Sequence, residues 1–291
     1  MTGIASFARA MSLHRVHPVS QGRGEDVFVF AGDLSPHWTI GPKIHGGVML
    51  SLCAKAAQLA VTTEAGADPQ GARGAAQPQP IAVSASYLWA PDPGPVELVA
   101  RVLKRGRTVS LVDVELQQGH RVAVRVAVTL GVPEHHVEPL LSVNPVLAQM
   151  SPEPPPDLES IGPGHPMAEI NHLAAGCDIR PDMSHLWAPA PGQPPVARIW
   201  VRPRGEVPDV LFALTCGDIS MPVTFAVGRT GWAPTVQLTA YLRSMPADGW
   251  LRVLCTTTQI GQDWFDEDHT VVDSAGRIIV QTRQLALVPA P

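Results

Sequence analysis

Three polar side chains stand in otherwise apolar runs in the last third of this 291-residue chain. They are Asp218 in Cys216-Gly217-Asp218-Ile219-Ser220-Met221-Pro222-Val223, Thr235 in Pro234-Thr235-Val236-Gln237-Leu238, and Gln284 in Thr282-Arg283-Gln284-Leu285. A carboxylate drawn into apolar surroundings has a raised pKa and is a better proton acceptor near neutrality. A hydroxyl and an amide carry no charge but can hold and orient a water. Together such groups suit attack by a held water on an acyl carbonyl that is already electrophilic, and backbone N–H groups at a helix N-terminus could polarise that carbonyl. The chemistry requires no cysteine or serine nucleophile, no metal and no cofactor. Taken singly, each residue also has a plainer reading: a buried structural carboxylate, a strand residue and a sheet-face amide.

The elements that must position these groups occur twice. Ser86-Tyr87-Leu88 opens an apolar run that breaks at Pro91-Asp92-Pro93-Gly94-Pro95 and resumes with Val96; Ala240-Tyr241-Leu242 does the same, breaking at Met245-Pro246-Ala247-Asp248-Gly249 and resuming with Trp250. The chain has two tyrosines, and their similar settings 154 residues apart point to an internal repeat. At that offset Thr235 falls on Ile81, and with a loop gap placed between the copies Gln284 falls opposite Ala127 or Val128, so the first copy lacks the polar trio.

In the first half, Val48, Leu52, Ala56 and Leu59 recur at helical spacing, predicting a buried helix from about Gly47 to Thr63. A Gly/Ala/Pro/Gln loop over residues 66–80 follows, then strands near 81–88, 96–103, 109–116 and 121–130. Ser151-Pro152-Glu153-Pro154-Pro155-Pro156 marks a linker, because consecutive prolines cannot enter a sheet interior. The second half predicts a strand near 196–201, a helix from 208 to 227, and strands at 235–242, 250–259, 265–272 and 277–288. The expected class is α+β, each half a long buried helix against an antiparallel sheet, with units at residues 1–132 and 167–291 joined by a linker at 133–166.

A net charge of −5 gives no long-range attraction for nucleic acid or an anionic membrane. Cys53, Cys177, Cys216 and Cys255 are far apart, lack a Cys-x-x-Cys pair and read as buried reduced thiols. No signal-peptide or membrane-spanning run is present in the sequence, and a cytoplasmic protein is expected.

The order of a helix, a strand with Tyr-Leu, and Asp-Ser-Ala-Gly-Arg-Ile-Ile-Val-Gln-Thr-Arg-Gln-Leu resembles the C-terminal half of the double-hotdog acyl-CoA thioesterases, the thioesterase II type and its actinobacterial relatives. The resemblance covers nearly the whole chain and is sharpest over residues 214–288. It implies two fused hotdog units, hydrolysis of an acyl-CoA to a free acid and CoA, a role in lipid and fatty-acid metabolism, and further pairing into a dimer of double hotdogs. It also implies catalytic roles for Asp218, Thr235 and Gln284 in holding the attacking water.

His45-Gly46-Gly47 resembles the His-Gly-Gly that opens the helix of single-hotdog thioesterases, but Ala54 and Lys55 stand where those proteins place an acidic residue. His45 is therefore read first as a helix-entry residue, with the Gly46 and Gly47 amides as an acyl-pocket or CoA contact. Arg105 and Arg107 are candidates for CoA phosphates, with a surface turn as the plainer reading. Asp263 to His269 suggests a metal site, against which stands a solvated strand edge lacking a second ligand cluster; no metal is expected. Two other functions stay open: a non-catalytic acyl-CoA or acyl-carrier binding protein, and a hydratase or dehydratase, for which His45 and His269 lack the expected spacing.

Overall fold

The computed structural model describes residues 5–16, 26–62, 77–135 and 137–290. Residues 66–76 of the expected Gly/Ala/Pro/Gln loop lie outside that set.

The first half contains a one-turn helix α1 (Phe7–Ala10), β1 (His14–Val16), β2 (Asp26–Leu34), the short pair β3 (Thr39–Ile40) and β4 (Lys43–Ile44), and helix α2 (Gly46–Thr62). It continues through β5 (Gln79–Tyr87), β6 (Gly94–Lys104), β7 (Val109–Gln118) and β8 (Arg121–Gly131). The second half contains β9 (Cys177–Asp182), a one-turn helix α3 (Ser184–Trp187), β10 (Val196–Pro203) and helix α4 (Val210–Cys216). Strands β11 (Thr235–Leu242), β12 (Leu251–Thr256), β13 (Trp264–Val272) and β14 (Ile278–Leu287) complete it.

Twelve strands form one antiparallel sheet in the order β1-β2-β6-β7-β8-β5-β11-β14-β13-β12-β10-β9. The order is the same read inward from either edge, as a fused double hotdog requires. At the centre β5 pairs with β11, Thr239 lies opposite Ser84, and their hydroxyls bond at 2.9 Å. Inward-facing side chains of the central strands close over α2 and α4, which pack on each other and bury a continuous apolar core.

The repeat is real, but its register differs from the tyrosine match. Tyr87 points inward and donates its hydroxyl proton to the Gly46 carbonyl at 2.9 Å, whereas Tyr241 is exposed and lies under the Arg243 guanidinium. Strand alternation puts the two tyrosines on opposite faces, so the halves correspond with an odd offset on this strand.

The second helix is also shorter than its apolar run suggests. It stops at Cys216, is capped by Gly217, and gives way to a 3-10 turn at Val223–Val227 after Pro222, whose ring and missing N–H prevent the helix from continuing. Among its described residues the linker forms no strand, only an isolated bridge from Ile161 to Ile179 on β9, yet it is docked on the outer face of the second half. Val146 and Met150 pack with Trp200, Trp250, Leu254 and Val272, and the buried Arg252 donates to the carbonyls of Met150 and Asp273.

Candidate active site

Asp218 does not lie inside a helix. It follows the Gly217 cap of α4, where the helix dipole disfavours a carboxylate, and the compensation comes from the other half of the molecule. The Gly47 amide, in the first turn of α2, donates to Asp218 Oδ2 at 2.7 Å. His45 Nε2 donates to the Asp218 backbone carbonyl at 2.9 Å and lies 4.0 Å from Oδ2. Because a carbonyl only accepts, His45 Nε2 carries a proton, and the buried His45 Nδ1 has no hydrogen-bond partner among the described residues. Burial raises the pKa of Asp218, while His45 and the Gly47 amide pull it down. Oδ1 has no hydrogen-bond partner among the described residues.

The two glycines are required by proximity. A Cβ on Gly46 would stand 2.6 Å from Asp218 Oδ2, and one on Gly47 would stand 2.7 Å from the Thr215 carbonyl and 3.0 Å from Asp218 Cβ. His45-Gly46-Gly47 is thus more than a helix entry: it is the cradle of the second half's carboxylate. The Gly47 N–H is committed to Asp218.

Thr235 and Gln284 meet through an irregularity in the sheet. On β11, Leu238, Ala240 and Leu242 face inward, so simple alternation would turn Thr235 outward. A bulge between Thr235 and Gln237 inserts one residue and brings Thr235 opposite Ala286, on the inner face. There Thr235 Oγ1 donates to Gln284 Oε1 at 3.0 Å. No direct hydrogen bond joins either side chain to Asp218 among the described residues.

Two further polar residues belong to this face, and the expectation of a solvated edge over Asp263 to His269 is corrected. Strand β13 lies inside the sheet between β12 and β14, and both Glu267 and His269 are buried. Glu267 stands directly across from Gln284, accepts from Gln284 Nε2, and takes the Val223 amide at 2.7 Å on its other oxygen. Burial raises its pKa to about 8, with the Val223 and Gln284 bonds opposing and Asp218 reinforcing the rise. His269 is pushed down to about 3 by burial and is neutral at physiological pH. Thr282 Oγ1 gives its proton to the Gly217 carbonyl at 2.6 Å, so it accepts from His269 Nδ1, and Nε2 accepts from Ser220 at 2.8 Å.

Donor atoms of Cys255, Glu267 and His269 lie within 4.8 Å of one another, which answers the missing ligand cluster. The oxygens and nitrogens among them are, however, already taken by Val223, Gln284, Ser220 and Thr282. The signal for Glu267 and His269 was available in the sequence: Phe265 and Val271 share their parity, which places all four on one face.

Arg105 and Arg107 lie at the opposite end of α2. Arg105 donates to the Ala60 and Val61 carbonyls and pairs with Asp26 at 2.8 Å, closing the helix C-terminus, and Arg107 is exposed in the turn between β6 and β7. A 17-residue helix spans about 25 Å, so Arg105 sits far from the Asp218 end, with its guanidinium directed at the carbonyls that end α2. A cleft of about 1090 Å³ opens beside α1 and β2, lined by Arg9, His14, Asp33, His37, Glu97 and His120 among others. It shares no residue with the Asp218 set.

The corresponding row of the first half is apolar. Where Glu267, Gln284 and Leu238 stand side by side across β13, β14 and β11, the first half presents Val112, Val128 and Val83 across β7, β8 and β5.

Comparison with known proteins agrees with this architecture. The family model of the acyl-CoA thioesterase N-terminal domain matches residues 34–131, and that of the acyl-CoA thioesterase C-terminal domain matches residues 148–288. An uncharacterised protein of Mycobacterium tuberculosis is 57% identical over 98% of this chain and 99% of its own. Among solved structures, a protein assigned as a thioesterase II from Thermobifida fusca superposes with a TM-score of 0.75 at 26% identity, covering 98% of this chain and 97% of that one. An Alicyclobacillus acidocaldarius protein of unknown function with a hot dog fold superposes with a TM-score of 0.71 at 18% identity, covering 98% of each chain.

Proposed function

The chain belongs to the acyl-CoA thioesterase family, and from that premise we propose that it hydrolyses an acyl-CoA to a free carboxylic acid and CoA, with Asp218 as the base that activates water. The observation that carries this reading is the carboxylate's setting. Asp218 is held through Oδ2 by the Gly47 amide at the positive end of α2, has no partner for Oδ1 among the described residues, and has its pKa raised by burial.

In the proposed step the water is held by Thr235 and Gln284 beside Asp218 Oδ1. Its oxygen attacks the thioester carbon while a proton passes to Asp218. Collapse of the tetrahedral intermediate breaks the C–S bond, and the proton leaves with the CoA thiol. Thioesters need little further activation, so positioning and one base account for the machinery. Arg105 and Arg107 are not assigned to CoA.

The test is free-thiol release from a panel of acyl-CoAs, short to long and aromatic, by wild type beside Asp218→Asn. Turnover that falls about 10²–10⁴-fold in the variant, the range for losing a general base, supports the reading. Binding of an acyl-CoA without thiol release from any member would replace it with a binding protein.

A further inference from the structure

We propose that His269 is a positioning residue for this reaction: together with Thr282 it ties the turn that carries Asp218 to the strand that carries Gln284, and so sets how far the base stands from the groups that hold the water. The inference rests on the hydrolase reading above and adds a residue to it.

The need for such a tie follows from where Asp218 lies. It stands past the Gly217 cap, in a stretch with no helix or strand between Cys216 and Val223. Thr235 and Gln284 stand on the sheet, and no direct hydrogen bond joins either side chain to Asp218 among the described residues. A water shared by the three groups needs their separation fixed, because a misplacement of about 1 Å can cost about 10²-fold in rate.

The residues on both sides of Asp218 are bonded to the sheet. Thr282 Oγ1 donates to the Gly217 carbonyl at 2.6 Å, and the Ser220 hydroxyl donates to His269 Nε2 at 2.8 Å. Thr282 has thereby spent its only proton, so at 3.2 Å it accepts from His269 Nδ1. One imidazole thus completes a brace that runs from Gly217 through Thr282 to Ser220, with Asp218 enclosed. His269 and Thr282 face each other across β13 and β14, one inward step from the Glu267 and Gln284 pair. The turn also lies directly on the strand, since a Cβ on Gly217 would collide with the Thr282 methyl group.

The first half is an internal control. Helices α2 and α4 meet through the hydroxyls of Ser51 and Thr215, which are 164 residues apart, and the same step back from Asp218 reaches Ala54. In the row equivalent to His269 and Thr282, β7 and β8 present the buried Val114 and Val126. The half without a carboxylate is also without the brace.

The groups around the ring suit its neutral form. His45, from the segment before α2, adds to burial in disfavouring the imidazolium, and Cys255 on β12 and Glu267 on β13 lie close by with their own pKa values raised by burial. A protonated Nε2 could not accept from Ser220. The brace therefore fixes His269 as the neutral ring with its proton on Nδ1.

Thr282→Val gives β14 the residue that the first half carries and removes the brace at its middle, leaving Asp218, Thr235 and Gln284 unchanged. On the acyl-CoA that wild type turns over, kcat per folded molecule is expected to fall about 10- to 100-fold with KM unchanged. His269→Leu should reproduce that split. Wild-type kcat in both variants, beside an inactive Asp218→Asn, would reduce the brace to a structural contact and overturn the inference while leaving the hydrolase reading standing. A second measurement does not depend on turnover. In ¹⁵N spectra of the wild-type imidazoles, His269 should be neutral and protonated on Nδ1 throughout the neutral pH range. A ring protonated on Nε2, or one that titrates near neutrality, would overturn the inference even if no acyl-CoA is hydrolysed.

Discussion

Burial acts on the two inward carboxylates in the same direction, but their partners differ. Asp218 has a helix N-terminus and His45 to favour its charge; Glu267 has two N–H donors and a neighbouring carboxylate, so its pKa settles at about 8. A folded-state pKa raised above the unfolded value of 4.5 means that the native state holds its proton longer. The stability linked to Glu267 is then fully present below 4.5 and is lost as pH rises through about 8. His269 has the opposite linkage, with its folded pKa depressed from 6.5 to about 3, so its contribution is lost as pH falls through that window. Calorimetry should find Tm declining from mildly acidic to alkaline pH in wild type and a flatter profile in Glu267→Gln. An alkaline decline unchanged in the variant would show that Glu267 is not its source. At this scale the sequence displayed Asp218, Thr235 and Gln284 as polar intrusions in apolar runs. It hid the bulge at Thr235, because nothing in Thr-Val-Gln-Leu marks the extra residue that turns the threonine inward.

Helix α2 is bound at each end by residues from elsewhere in the fold. Its N-terminus holds the Asp218 carboxylate, and its C-terminal carbonyls are closed by Arg105, itself paired with Asp26. Arg105→Ala should cost about 1–2 kcal/mol, the scale of charge-assisted bonds to a helix end, with KM for acyl-CoA unchanged. A KM raised tenfold without loss of stability would instead return Arg105 to the CoA site. The strands were legible from alternation to within a few residues, and the first helix from its 3.6-residue period. The second helix was overrun because apolarity continues past Gly217 and Pro222, where geometry rather than hydropathy ends it. Strand β9 went unread, since Cys-Asp-Ile-Arg-Pro-Asp is short, carries a proline and three charges, and has Asp178 and Asp182 paired with Arg202 and Arg198 only in the folded sheet.

The whole molecule is joined by the β5–β11 pairing and the contact between α2 and α4, and the linker lies over the outside of the second half. Cutting the exposed stretch at residues 137–143 should therefore leave the two halves associated, with turnover retained. Size-exclusion chromatography after cleavage at an engineered protease site there tests this, and separation of the fragments would show that the covalent connection is needed. Either half produced alone should be inactive, because Asp218 and the amide that holds it come from different halves.

That division has a consequence for how the two copies tolerate change. The second half supplies side chains to the candidate centre, so its contribution is encoded in residue identity. The first half supplies a main-chain N–H from Gly47, the space left by two glycines, and the carbonyl of Gly46 that Tyr87 holds. A mutational scan scored separately for folding and turnover should find the first copy almost silent for turnover outside His45, Gly46, Gly47 and Tyr87. The first copy is thus held to a backbone shape and to the two side chains, His45 and Tyr87, that secure it.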